Sequence, residues 1–343
     1  MRGLYMTEEL ANPEVPLEWI EKSNLFTIYF GPIHLGDIRW RVRQLWTPFP
    51  VFLKHPQPPS VSRRDLDGVE AICIPGFPAL RNFPELQFPP GMIRYMSWSD
   101  TRFLISLSGG FNAYLQSRSR NTRAKVSQKL RNWRALTGGE AAIKEFRGAI
   151  QMGEFYSIAG PLSRITWQAK LGATLEEIDR PEDLLRLAAA DKARGYILFC
   201  GDRPAAFQLC YVQGTTIVTS QTGYDPAYAR YSPGTVLLYL FLENVFAEGE
   251  MEYVDLMEGS PFPYKASFVT LRVPSMRFMY FRRRPGPFCF VVFVFLLKKL
   301  ERPARLAQRA IQHAFKCVKP VFVSPNPRKY SATNGRKPSA HTE

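Results

Sequence analysis

Between positions 36 and 108 the apolar residues fall in short runs broken by proline and glycine: FPVFL, GVEAICIPGF, GMIRYMSW and RFLISLSGG. Runs of that length bounded by turn residues predict several strands joined by loops. From Phe111 to Leu136 proline is absent and the spacing becomes helical. At 100° per residue Arg120, Arg123, Arg131 and Arg134 fall within an arc of about 80°, beside an apolar arc of Val126, Leu130 and Trp133. One stripe of this helix can pack while its neighbour presents four guanidinium groups. Gly138 and Gly139 then end it.

Past the glycines, GEFYSIAGPLSRITWQAKLG and RPEDLLRLAAADKARG predict two helices, the second opened by Pro181 and early acids. YILFCG, AAFQLCYVQG and TTIVTSQTG predict three strands, separated by GDRP and QG turns. An apolar helix at 233–248 stops at Gly249, followed by a strand YVDLM, a loop EGSPFPYKAS and a strand SMRFMYF. This mixture defines an α/β (α+β) chain with mixed sheets flanked by helices. The run FCFVVFVFLL at 288–297 is about half as long as a helix needs to cross a bilayer. The segment after it is basic and amphipathic, and from Ser324 the polar tail is expected to be disordered.

A chain of 343 residues is long for one core and suits two. Five cysteines without a CxxC pair argue for a reducing compartment rather than a disulfide framework. Cys200 and Cys210, on successive predicted strands, read as buried structural thiols. The first twenty residues carry four glutamates and no continuous apolar run, so no signal peptide is expected and the cytoplasm is the expected location.

The net charge of +15 is unevenly distributed. It is 0 over 1–117, +7 over 118–147, −6 over 148–269 and +14 over 270–343. A protein that coats nucleic acid would more often spread a basic stripe over its folded body, so nucleic acid is not the expected partner. The apolar run followed by a basic helix, 286–316, is instead a candidate contact with the inner face of a membrane, the alternative being a core element with a charged tail.

Chemistry is narrowed first by what is missing. There is no GxSxG, GxGxxG or GxxxxGK stretch, and only four histidines occur, so nucleophilic triads and histidine-rich metal sites are not expected. The remaining feature is a helix start after a strand, YDPAYARYSPGTVLL. Ser232 is a good cap, Pro233 suits the first helical position, and Gly234 and Thr235 would follow with free amides. Those amides and the helix dipole favour an anion, and Gly234 lets a phosphate approach the backbone. An ordinary capped helix is the competing reading.

The strand ending in TGYDPAYARY, the SPGTVLL helix start and the run YVDLMEGSPFPYKASF together resemble acetyltransferase-like proteins of the cellulose-biosynthesis type within the GNAT superfamily, related to the FemAB aminoacyltransferases of peptidoglycan. The resemblance is firmest over 110–285 and includes the basic helix 112–136. It implies tandem GNAT-like folds: an N-terminal unit at 1–109, a basic connecting helix at 110–137, a C-terminal acyltransferase unit at 138–285, then an extension at 286–323 and a tail at 324–343. It implies acyl-CoA as cosubstrate, bound around Arg230, Tyr231, Ser232, Gly234 and Thr235, and no metal. In that superfamily the phosphate-binding loop runs Gln or Arg, two residues, Gly, one residue, Gly or Ala. Counted from Arg230, the two glycine positions here hold Pro233 and Thr235, and the glycine stands at 234.

Acyl transfer needs a path for the acceptor's proton and an acid for the leaving group. Asp255, Glu258, Tyr264 and Lys265 are the catalytic candidates, with Lys265 also an available ion partner for Asp255, in which case the pair is structural. For the acceptor, the Arg120, Arg123, Arg131 and Arg134 face is either a solvated helix side or a clamp for a phosphorylated substrate. Trp167 and Lys170 either line the acceptor pocket or pack, and Tyr224 and Asp225 either form a turn or touch substrate. The expected activity is acyl transfer to an amine or hydroxyl of a sugar or cell-envelope precursor, free or lipid-linked. The alternatives are a FemAB-like transferase using aminoacyl-tRNA and a non-catalytic protein of the membrane surface.

Overall fold

The computed structural model describes residues 17–300 apart from 31–32, 55–57, 80–81, 140, 167, 170–173, 179 and 259–262. The first half contains β1 (Trp19–Phe30), β2 (Ile33–Leu45), α1 (Phe49–Lys54), β3 (Ala71–Pro78), β4 (Leu86–Gln87) and β5 (Met92–Ser106). Two helices follow, α2 (Gly110–Gln116) and α3 (Arg120–Thr137). The second half contains β6 (Ile143–Arg147), α4 (Gly148–Arg164), α5 (Leu175–Ile178), α6 (Pro181–Ala189), β7 (Ala193–Cys200), β8 (Arg203–Gln213) and β9 (Thr216–Tyr224). It continues through α7 (Pro233–Glu248), β10 (Tyr253–Glu258), α8 (Pro263–Phe268) and β11 (Leu271–Arg282), and a helix over 285–300 closes the described chain.

One mixed sheet runs through the whole molecule in the order β1-β2-β3-β11-β5-β10-β9-β8-β7-β6, with β4 pairing β5 off this path. The last strand among the described residues, β11, is therefore inserted in the first half, antiparallel to both β3 and β5. β5 then joins the halves, since its C-terminal end also pairs β10. The alternation in SMRFMYF suits this central position, because Phe278, Met279, Tyr280 and Phe281 feed the cores on the two faces of the sheet.

The sheet's faces are covered differently in each half. In the second half, Val126, Leu130 and Trp133 of α3 and the apolar side of α7 cover one face, and α4, α5 and α6 cover the other. α7 is nearly uniform in hydrophobicity because it is buried on most sides, as Val236, Leu237, Leu238, Phe241, Leu242 and Val245 attest. In the first half, α1 packs on one face through Phe52, and Val291 of the 285–300 helix lies on the other.

Three expectations need correcting. FPVFL is the short helix α1, where Phe49 and Phe52 are both buried; five residues are too few to show a period, and the Thr47-Pro48 step ahead of them acts as a helix start. GMIRYMSW and RFLISLSGG form one fifteen-residue strand, since Ser99 and Asp100 between them continue the ladder opposite Met276 and Ser275. The loop EGSPFPYKAS contains the single-turn helix α8.

Candidate active site

β9 and β10 run parallel but pair over three residues only, Thr216 to Val218 against Tyr253 to Asp255. Past that point β10 turns away. Its register on β5 shifts between Asp255 and Glu258, and Met257 sits at φ 63°, a left-handed conformation rare for a side-chain-bearing residue. The strands splay, and the far half of β9, Ser220 to Tyr224, lines a cavity of about 760 Å³ together with α3 and the start of α7. A cavity of this size lies within the usual range for small-molecule sites. Gly223 fits β9 to the floor of the wedge, since a Cβ there would lie 2.4 Å from the Phe207 ring and 2.7 Å from Thr166 Cγ2.

The start of α7 forms one wall. Asp225 Oδ1 accepts the Ala227 amide at 2.8 Å and so opens the 3₁₀ turn Pro226–Tyr231, the turn role foreseen for it. Ser232 then stands at φ 55°, ψ 50°, and its side chain makes no cap hydrogen bond. This corrects the expected hydroxyl cap: in the left-handed conformation it is the Ser232 carbonyl that turns toward the helix, accepting the amides of Thr235 at 2.9 Å and Val236 at 3.2 Å. The Thr235 amide is thus occupied, and the Gly234 amide has no acceptor among the described residues. Holding a serine in this conformation costs on the order of 1–3 kcal/mol, a form of strain that clusters at functional sites.

Charge in the cavity comes from lysines. Lys125, Lys129 and Lys265 line it, and no carboxylate does among the described residues. Lys129 Nζ donates to Thr235 Oγ1 at 3.0 Å, tying α3 to the first turn of α7. Burial lowers the Lys129 pKa, and the neighbouring charge of Lys125 lowers it further. Two lysines and the positive end of α7 therefore share one wall, an arrangement that favours an anionic ligand.

Lys265, on α8, also faces the cavity. Burial lowers its pKa, while Asp255 and Cys210 pull it back in part. Its expected ion pair with Asp255 is replaced by another. Arg102 Nε meets Asp255 Oδ2 at 2.7 Å, and Arg102 Nη1 meets Glu258 Oε1 at 2.9 Å. Glu258 also accepts from Ser275 Oγ at 2.7 Å, and Asp255 Oδ1 accepts the Met257 amide at 2.8 Å. Burial works against the charge of Arg102, but the two carboxylates outweigh it and hold its pKa above the usual arginine value. β5 delivers Arg102, a residue 153 positions before Asp255, and no local pattern announces such a pairing. Asp255 and Glu258 thus stand in a buried network behind the cavity and do not line it.

The remaining candidates separate by position. Ser232, Gly234, Thr235 and Tyr224 line the cavity. Arg230 does not: its guanidinium lies 4.7 Å above the ring of Tyr231, which is also outside the lining. Arg120, Arg123, Arg131 and Arg134 are all exposed and outside it. Of the two flanks of the apolar stripe on α3, the one carrying Asn121, Thr122, Lys125 and Lys129 faces the site. The same helical wheel that grouped the arginines puts Lys125 and Lys129 on that opposite flank, so the signal was present. Trp167 and Lys170 lie outside the described residues, as does the side chain of Tyr264. Among the described residues no three His, Cys, Asp or Glu side chains converge as a metal site.

A wedge between two parallel strands, closed by the positive end of a helix, defines a GNAT-like acyltransferase fold. Residues 120–266 match the acetyltransferase (GNAT) domain family, a span that includes every cavity-lining residue named above, and the chain is an acyltransferase by class. No curated protein matches the sequence. Among solved structures, L-PGS from Bacillus licheniformis is 11% identical, with 76% of this chain and 85% of that one covered at a TM-score of 0.43. The C-terminal domain of a putative lysylphosphatidylglycerol synthetase from Agrobacterium fabrum is also 11% identical, covering 62% and 67% at 0.42. FemX is 10% identical, covering 77% and 89% at 0.43. Each is a likeness of outline and assigns no substrate.

Proposed function

We propose that the protein moves an acyl group from acyl-CoA to an amine or hydroxyl of a sugar or cell-envelope precursor, free or lipid-linked, as in polysaccharide biosynthesis. The observation that carries this reading is the cavity itself: a space lined by no carboxylate among the described residues, with an open amide at Gly234, two lysines beside it and a third lysine, its pKa lowered by burial, on another wall. Acyl-CoA, when bound, supplies an acyl group activated as a thioester. The Gly234 amide, Lys129 and Lys125 would hold its diphosphate through the helix N-terminus and direct charge. The wedge edge of β9 offers main-chain groups to an extended ligand, as an unpaired strand edge does.

In this reading Lys265 is the proton acceptor. Its depressed pKa favours the neutral amine, which takes the proton from the attacking amine or hydroxyl as the new bond to the acyl carbon forms; the carbon–sulfur bond then breaks, and the Lys265 ammonium would return the proton to the departing thiolate. Asp255 and Glu258, satisfied by Arg102, act as positioning residues for the wall carrying Lys265. A second reading is favoured by the exposed arginines of α3, which form a cationic stripe suited to an aminoacyl-tRNA donor.

Thermal melting distinguishes the two. Coenzyme A or acetyl-CoA at ~100 times its dissociation constant should stabilise the protein by roughly 2.7 kcal/mol. No shift with acetyl or longer acyl forms, together with salt-sensitive binding of tRNA, would transfer the assignment to the second reading.

A further inference from the structure

The helix over 285–300 is apolar on nearly every side. Its inner side is accounted for: Val291 is fully buried, and the Phe290 ring stands 4.6 Å from Trp40 of β2 and 6.3 Å from Phe281 of β11. The outer side is not. At 100° per residue, the half-turn from Phe288 round to Leu297 holds Val292, Leu296, Cys289, Leu300 and Phe293, with Lys299 its only charge. Lys299 is itself tied to Glu85 at 2.9 Å. Phe293, Leu296 and Leu300 remain 47%, 51% and 58% exposed. Phe88, 49% exposed, extends this surface, its ring 6.3 Å from that of Phe288. A helix apolar all round is ordinarily buried in a core or in lipid.

We propose that this face docks on an anionic lipid bilayer, which it enters to the depth of its apolar side chains. The charge around it selects this occupant. Arg283 and Arg284 are exposed at the helix start, with Arg283 5.7 Å above the Phe88 ring, and Lys298 closes the other end against the Ser97 carbonyl. From Arg282 onward the sequence carries 14 basic and two acidic residues. An apolar strip between cationic flanks matches an acyl-chain layer beneath negative headgroups, and its outer side chains carry no group that would read a particular protein surface. Among the described residues no helix is long and apolar enough to cross a membrane, and 16 residues of helix span only about 24 Å, so the element lies along the interface. This inference is independent of the acyl donor.

The test is co-sedimentation of the full chain with vesicles of phosphatidylcholine alone and of phosphatidylcholine with phosphatidylglycerol. The wild type should bind the anionic vesicles at least ~10-fold more tightly. Phe293→Asp with Leu296→Asp, both at exposed positions, should lower that binding at least ~10-fold with an unchanged melting temperature. Arg283→Glu with Arg284→Glu supplies an independent surface variant and should abolish the preference for anionic lipid. Absence of wild-type binding, equal binding to both vesicles, or full binding by the aspartate variant overturns the proposal. So does a wild-type dimer that ignores vesicles and becomes monomeric in the aspartate variant, which would make a second copy the occupant.

Discussion

Gly234 and Lys265 make the proposed chemistry testable one side chain at a time. A Cβ at Gly234 would meet only Tyr224 Cδ1 at 3.8 Å, an ordinary contact. Gly234→Ala should therefore keep the fold, changing stability by less than about 1 kcal/mol, while weakening donor binding because the approach to the amide is narrowed. A melting curve and a donor titration on the same sample check both halves. Lys265→Ala should lower kcat by roughly 10²–10⁴-fold, the usual contribution of a positioned base. Because burial depresses the Lys265 pKa, the wild-type rate should rise with pH through a value below that of an ordinary lysine, and the variant should lose this limb. A rate in Lys265→Ala that keeps the wild-type profile would remove the lysine from the mechanism. At this scale the sequence carried part of the site. SPGT marks a helix start by its own chemistry, and the wheel of α3 locates two lysines opposite four arginines. The inversion of Ser232 was not legible, because a left-handed serine depends on how the preceding turn delivers the chain.

Pairs of strands hold these residues in place through buried charge. Arg102 is 3% exposed and bridges Asp255 and Glu258, so β5 and β10 are locked beside the β9 wedge. Arg102→Met strands two carboxylates and should cost ~3–5 kcal/mol. Gly76→Ala should break the same network from β3, since its Cβ would lie 1.9 Å from Arg102 Nη1. Denaturant unfolding of both variants, with losses that fail to add in the double mutant, would confirm that they act on one cluster. A second network closes the far edge of the sheet. Glu145 of β6 accepts from Arg147 at 2.5 Å and Tyr196 at 2.9 Å, and Arg194 reaches Glu248 and Glu250 from β7. Burial raises the Glu145 pKa, but the hydrogen bonds of Arg147 and Tyr196 outweigh it and leave the value lowered. With the folded value lowered, its stabilisation is present above the ordinary glutamate pKa and is lost as pH falls through the folded one. Glu145→Gln should accordingly flatten the acid limb of a stability–pH curve. Most of these strands could be placed by alternation and turn residues. Their charged partners could not, because residues 153 positions apart meet only through the order of strands in the sheet.

The molecule as a whole is united by β11, which leaves the second half to fill the gap between β3 and β5. A break after residue 109 therefore does not isolate a finished unit. Residues 1–109 expressed alone should fail to give a cooperative melt, and adding a separate 263–300 segment should restore one; a stable, soluble 1–109 fragment would contradict this. Strand identity was readable for β11 from SMRFMYF, but its place was not, since alternation reports which faces are covered and not which neighbours supply the hydrogen bonds.

During synthesis this placement imposes a delay. β3 leaves the ribosome some two hundred residues, and β5 about 170 residues, before Leu271–Arg282 does. At 5–20 residues per second the interval is on the order of ten to forty seconds. Throughout it the facing edges of AICIPGFP and of β5 lack the strand that finally separates them, and an apolar edge of that kind pairs readily with a passing chain. The nascent protein is thus most prone to aggregate just before β11 emerges, a period in which a chaperone holding the first hundred residues would do more for yield than any change to the finished fold.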